Sequence, residues 1–423
     1  MRFGREDFCM TSKPSSIPAL LKLLRPGLRV FLHAGPSESL ALRAALQANP
    51  EAAKGVEFFG IFIPGINDFD YASLHEDARV SSSFVPPMAR KSFEQGRFDF
   101  APVHYGELGP YVRARAIDLA VLQCPPPAAG AFSLGINADV GVAAARHAAQ
   151  CAVIVNPALP FTATADPLPM VEADFIVDGE HPLPSFPSEA TDETSERIAD
   201  HVTALVRDGD TIQLGIGRLP AAILRKFGHF HRLKVHTGMI TDEIAELVRL
   251  GAIDTDVKIP IRAGMAIGGD RVRDLARETL CCFHSTDFTH AIRQIAAIDS
   301  FVAINSAVEV DLFGQVNGEL INGKQISGIG GSSDFNRGAR LSREGRSIIA
   351  LPASARGKSR IVAQIAGPVS QARADADHIV TEYGTASLRY RSIDARAEAL
   401  IAIADPAHRD ALAQAWRERR KTM

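Results

Sequence analysis

Thr211-Ile-Gln-Leu-Gly-Ile-Gly217 and His236-Thr-Gly-Met239 decide how this chain reads. The first stretch runs an alternating apolar strand into a Gly-x-Gly turn. A helix pattern, Arg218-Leu-Pro-Ala-Ala-Ile-Leu-Arg225, follows directly. A second short strand, Leu233 to Val235, ends at His236. Such a unit presents backbone N–H groups at the carboxyl end of a sheet.

The same alternation extends in both directions. Upstream, Leu28 to Ala34 reads as a strand, and Gly35-Pro-Ser-Glu-Ser39 opens a helix from Leu40 to Leu46. That turn suits either a phosphate held by the first helical N–H groups or a plain connection capped by Ser37. Strands follow at Val56 to Phe62, near Phe98 to Val103, and at Ile117 to Gln123. The last ends in Cys124-Pro-Pro-Pro127, which cannot continue a ladder. A helix (Val140 to Ala149) and a strand (Cys151 to Val155) complete a βαβα alternation, predicting a mostly parallel α/β sheet. Prolines 182, 184 and 187 among acidic and hydroxyl residues place a domain boundary between Asp178 and Thr194, giving units 1–190 and 191–423.

A helix from Glu196 to Arg207 stops at Asp208-Gly209 and leads into the opening unit. The next helix is capped by Thr241 or Asp242 and runs to Leu250. Phe301 to Asn305, Val308 to Leu312, Ser347 to Leu351 and His378 to Glu382 are strand-like, and Ser392 to Glu418 is helical. Two α/β halves of similar size point to an internally duplicated fold. Gly314 to Gly331 holds six glycines and culminates in Ser327-Gly-Ile-Gly-Gly-Ser-Ser-Asp-Phe335.

The 423 residues carry a net charge of −3, which gives no electrostatic footprint for nucleic acid or an anionic membrane. Met1-Arg-Phe-Gly-Arg-Glu-Asp-Phe8 has early acids and no apolar core, so it does not read as a signal peptide. No apolar run reaches the roughly 18 residues of a membrane helix. The expectation is a cytoplasmic protein. Cys9, Cys124, Cys151, Cys281 and Cys282 show neither zinc spacing nor a disulfide framework. Adjacent Cys281 and Cys282 are redox-active or simply small buried residues.

Each glycine turn alone is a weak signal. Gly215-Ile-Gly217 and Gly328-Ile-Gly-Gly331 together could bring bare N–H groups to one point, as an oxyanion hole requires. Neither has the spacing of a dinucleotide fingerprint or a Walker loop.

Ile304-Asn-Ser-Ala-Val-Glu-Val-Asp-Leu-Phe-Gly-Gln-Val-Asn317, the run from Ser327 to Ala339, Ser347 to Pro352, Val380-Thr-Glu-Tyr-Gly-Thr-Ala-Ser-Leu-Arg389 and Arg396 to Pro406 resemble the acetyl-CoA hydrolase/transferase family, which includes 4-hydroxybutyrate and succinate:acetate CoA-transferases. Gln123 to Gly135 matches more loosely, lacking the acidic and His residues usual after the prolines. The resemblance implies two CoA-transferase-type α/β domains with the site between them, acyl-CoA and a small carboxylate as substrates, no tightly bound cofactor or metal, and a homodimer or tetramer. It also implies ping-pong chemistry through an acyl–glutamyl anhydride and a glutamyl–CoA thioester. Oxyanion donors would be the N–H of Ile216 and that of Gly330 or Gly331, with Asn305 beside the glutamate. Gly215, Gly217, Gly328, Ser332, Arg337, Tyr383 and Gly384 would border the CoA. Arg337 and Arg389 would anchor its phosphates or make surface ion pairs.

The family's glutamate aligns with Gly238. Glycine offers no nucleophile, so three readings stay open. The protein turns over acyl-CoA without the glutamyl intermediate, or a neighbouring carboxylate (Glu243, Glu309 or Glu319) substitutes, or the fold is an inactive acyl-CoA-binding sensor or partner subunit. A related sugar-phosphate-binding protein is a fourth possibility. His236 reads as a packed strand-end residue rather than a base. Asp334 reads as a turn cap or backbone orienter, and Tyr390, where the family has glycine, as a ring able to narrow the substrate channel.

Overall fold

A computed structural model describes residues 16–184, 186 and 190–423. Met1 to Phe8, Cys9 and Pro187 lie outside them. Two mostly parallel sheets dominate. The first contains β1 (Arg29–Leu32), β2 (Glu57–Phe59), β3 (Arg79–Ser82), β4 (Phe98–Phe100), β5 (Leu119–Cys124), β6 (Gln150–Val155) and β7 (Phe175–Asp178). Its spatial order is β4-β3-β2-β1-β5-β6-β7, and all the pairings are parallel. β5 is buried along its whole length, which is why its sequence is a continuous apolar run rather than an alternation.

The second sheet contains β8 (Thr211–Leu214), β9 (Lys234–Ile240), β10 (Ile261–Ala266), β11 (Cys281–Phe283), β12 (Phe301–Ser306), β13 (Arg346–Ala350), β14 (His378–Thr381) and β15 (Gly384–Ser387). Its order is β11-β10-β9-β8-β12-β13-β14-β15, with only β14 and β15 antiparallel. Both sheets wind the same way: four strands step outward, then the chain returns to the other side of the first. The shared winding is what a duplicated fold would produce. Val308 to Leu312 does not join this sheet; Glu309–Asp311 pairs in a small separate one.

Several local expectations are corrected. Ser39, not Ser37, caps the helix Leu40–Ala48 by accepting from the Leu42 N–H. The Gly35 turn is no phosphate cradle: its N–H donates to Asn67 Oδ1, and buried Glu38 accepts from Asn67 and Tyr71. Thr241 occupies the N-cap position of Asp242–Arg249 without a side-chain capping bond, while the Asp242 carboxylate accepts from the Gly269 and Val272 N–H groups. The C-terminal tail is two helices, Ile393–Ala402 and Arg409–Arg420, split at Asp405-Pro406. Burial pushes the Cys281 thiol up to about 12, which argues against a redox role.

No described helix is long and apolar enough to cross a membrane.

Candidate active site

In open α/β sheets the crevice lies outside the carboxyl ends of strands, where strand order reverses. In the second sheet that point falls between β8 and β12. β8 pairs with β12 through Leu214↔Ile304, but its register with β9 stops at Ile212↔Val235. Beyond that pair the two strands are joined by the Thr237 hydroxyl donating to the Leu214 carbonyl at 3.1 Å. A cavity of about 240 Å³ opens there.

The cavity brings together Gly215, Ile216, Gly238, Asn305, Gly330, Gly331 and Ser332 from both glycine turns and three strand ends. Ile63, Phe84 and Tyr105 of the first domain close it. The junction is stitched at Gly330, which forms a bridge with His104 and accepts from the Tyr105 N–H at 3.1 Å. Asp334 holds the same loop by accepting from the Gly106 N–H at 2.9 Å, the backbone-orienting role expected of it. Burial raises the Asp334 carboxyl to about 6.

Asn305 is fixed by three hydrogen bonds to two side chains. It exchanges hydrogen bonds with Gln213 (3.1 and 3.2 Å) and donates to Asn336 Oδ1 at 3.2 Å. Asn336 donates to Gln371, and Gln371 donates to Ser332 Oγ at 2.7 Å. A satisfied buried amide network of this kind makes a rigid wall.

The other expected residues lie elsewhere. Gly217 (φ +106°) lines a neighbouring depression beyond Ile216. Gly328 is a packing glycine, since a Cβ there would sit 1.9 Å from the Ser83 carbonyl oxygen. Arg337 is exposed on the helix Ser332–Leu341, away from the cavity. Tyr383 stands between the guanidinium groups of Arg197 and Arg409, and Gly384 begins β15. Arg389 donates to the Arg340 and Gly345 carbonyls at the end of that same helix, a structural role. Tyr390 is 86 % exposed and does not line the cavity, so it narrows no channel there.

Nor does a substitute carboxylate enter the cavity. Glu243 faces the neighbouring depression, accepting from the Thr241 hydroxyl beside Arg225. Glu309 accepts from Asn317, and Glu319 from Gln325 and Ser370.

The sequence pattern ended the strand at His236, but β9 continues through Gly238 to Ile240, paired with β10 at Thr237↔Ala263 and Met239↔Met265. Gly238 is therefore an interior strand residue in the cavity wall. A Cβ built on it would meet His290 Cε1 at 2.9 Å and Nε2 at 3.0 Å. Gly331 is in the same position from the other side, with His290 Cδ2 at 2.4 Å from its would-be Cβ. Two glycines thus make the slot that His290 fills.

His290 follows the short helix Thr286–Thr289. Its ring packs against Tyr105 and Phe335, with centroids 4.5 Å away in each case. Burial, aided by nearby His236, pushes its pKa down to about 3, so it is neutral. His236 is packed as expected, but inside the strand rather than at its end; its Nε2–H donates to the Thr289 carbonyl at 2.8 Å and steadies the turn bearing His290. Behind Tyr105, whose hydroxyl donates to Asp139, burial raises the Asp139 carboxyl to about 7. Sequence reasoning missed His290 because nothing in Phe288-Thr-His290 marks it; only its opposition to two glycines does.

Comparison with known proteins bears on the family. Residues 11–187 match the acetyl-CoA hydrolase/transferase N-terminal domain and residues 271–416 the corresponding C-terminal domain. The chain is 33 % identical over 402 residues to the 4-hydroxybutyrate coenzyme A transferase of Clostridium kluyveri, covering 92 % of this chain and 94 % of that one. It is 34 % identical to the succinyl-CoA:acetate/propanoyl-CoA:succinate CoA transferase of Fasciola hepatica, covering 95 % and 87 %. The crystal structure of RipA from Yersinia pestis superposes with a TM-score of 0.89 at 26 % identity, covering 96 % and 98 %. The chain belongs to the acetyl-CoA hydrolase/transferase family, whose members are CoA-transferases and acetyl-CoA hydrolases.

Proposed function

We propose that this protein binds a small acyl-CoA thioester at the junction of units 1–190 and 191–423, and turns it over without a glutamyl–CoA intermediate. The observation carrying this reading is that the space a side chain at position 238 would need holds the His290 ring. The carbonyl oxygen would be held by the N–H of Ile216 and that of Gly330 or Gly331, all of which line one cavity.

The lining supports an uncharged acyl group. None of the described residues around the cavity is Asp, Glu, Lys or Arg, and Ile63, Phe84, Leu214, Met239 and Phe335 contribute apolar surface. A carboxylate-bearing acyl chain, or a free carboxylate acceptor, would be desolvated there without a cationic partner, at a cost of several kcal/mol.

The test is incubation with butyryl-CoA and acetate, then trapping with borohydride or hydroxylamine. Thiol release without a protein-bound CoA thioester is expected. A covalent CoA thioester on any glutamate would overturn the reading. Binding with no turnover of any acyl-CoA would favour a sensor or partner subunit.

A further inference from the structure

We propose that His290 is the general base that activates water for attack on the bound thioester. The inference rests on the acyl-CoA reading above and adds the group that does the chemistry.

Three observations carry it. The first is position: Nε2 lies 3.0 Å from the would-be Cβ of Gly238, and His290 lines the cavity with Ile216 and Gly330. It stands beside the point where the resemblance puts the family's attacking carboxylate.

The second is the tautomer. The Thr289 hydroxyl has one proton, which it donates to the Ser285 carbonyl at 3.2 Å. With its proton so placed, its oxygen suits the 2.9 Å contact with His290 Nδ1 as an acceptor, which matches a ring carrying its hydrogen on Nδ1. In that tautomer Nε2 keeps its lone pair, the form a base requires.

The third is immobility. Tyr105 and Phe335 pack against the ring, the two glycines bound its edge, and His236 holds the Thr289 peptide. The ionisable groups packed around the ring are Tyr105, with Asp139 behind it, and His236. No charged carboxylate touches it, so burial keeps the ring unprotonated. It accepts a proton only as the new carbon–oxygen bond forms.

The step balances as follows. The water proton passes to Nε2 while the water oxygen bonds to the thioester carbon and the carbonyl π pair moves to oxygen. Collapse reforms the carbonyl and breaks the carbon–sulfur bond. The departing thiolate takes the proton from the imidazolium, leaving a carboxylic acid, CoA thiol and neutral His290.

The experiment compares the full-length protein with His290→Gln and Thr289→Val, following thiol release from acetyl-, butyryl- and hexanoyl-CoA. For the best of these, His290→Gln should lower kcat by about 10²–10⁴-fold. KM should change by less than about threefold if the loss is confined to the transition state. Thr289→Val, which keeps the ring but removes the tautomer lock, should also lower kcat, to a lesser extent, and keeps the test open should His290→Gln fail to fold. In H₂¹⁸O the label should enter the acid product. Release that survives in a folded His290→Gln overturns the base and leaves the acyl-CoA reading standing. An acyl group found on His290 after rapid acid quenching also overturns the base, since the ring would then be the nucleophile. No release by the unsubstituted protein removes both proposals.

Discussion

His290 Cε1 lies 2.9 Å from where a Cβ on Gly238 would be, with the imidazole held between Tyr105 and Phe335. Positions 238 and 290 are therefore coupled: the ring occupies the space that a side chain at 238 would need. Gly238 has no positive φ that would itself exclude a side chain.

That coupling predicts the outcome of restoring the carboxylate. Gly238→Glu alone should overpack the site, cost about 1–3 kcal/mol of stability, and show no CoA transfer. Gly238→Glu combined with His290→Ala should recover the lost stability and allow transfer from butyryl-CoA to acetate through a trappable glutamyl–CoA thioester. Equal stability of the single and double variants by urea unfolding would contradict the coupling.

The two adjacent glycines of the second turn should respond differently. Gly330 (φ +68°) has open space around a would-be Cβ, so Gly330→Ala pays only backbone strain, about 1–2 kcal/mol. Gly331→Ala must displace the His290 ring and should lose thiol release as well as stability. Activity in Gly331→Ala matching that in Gly330→Ala would count against the slot.

Asn305→Ala leaves the Gln213 and Asn336 amides short of buried partners and should cost about 1–3 kcal/mol. Loosening the cavity wall should also lower kcat. Thermal unfolding and thiol release measured on one preparation check both.

Tyr390 adopts φ +61° while almost fully exposed. Tyr390→Gly should therefore stabilise the protein by about 1 kcal/mol and leave KM unchanged. A KM shift would return Tyr390 to the substrate channel.

Burial holds His33 and His236 at about 4 and His290 at about 3, below the ordinary histidine value near 6.5. The unfolded chain thus binds more protons, so these residues contribute fully above about pH 6.5 and lose that contribution as pH falls. At pH 5 each has lost on the order of 2 kcal/mol. Asp139 (about 7) and Asp334 (about 6) run the other way, gaining on acidification and together returning on the order of 3 kcal/mol. Part of the histidine loss is already present at pH 6.5, so the net expectation for these five groups is a loss of on the order of 2 kcal/mol between pH 6.5 and 5. Urea midpoints at the two pH values test this, and His33→Gln, which is outside the cavity lining, should flatten the decline.

The α/β class, the two successive sheets and the Gly215 turn were legible in the sequence because each is local. Strand alternation, helix periodicity and glycine spacing act over a few residues, and the family motifs are contiguous runs. Where the reading failed, the deciding force was non-local. β9 runs past His236 because β10 pairs with it through Met239, and Gly328 is demanded by the Ser83 carbonyl of the other domain. Tyr390 looks like a channel residue in one dimension, yet the fold leaves it in solvent. The sequence alone determined that Gly238 cannot attack a thioester. Only the tertiary structure decided what stands in its place, because His290 reaches that slot through packing between distant elements, which no spacing rule encodes.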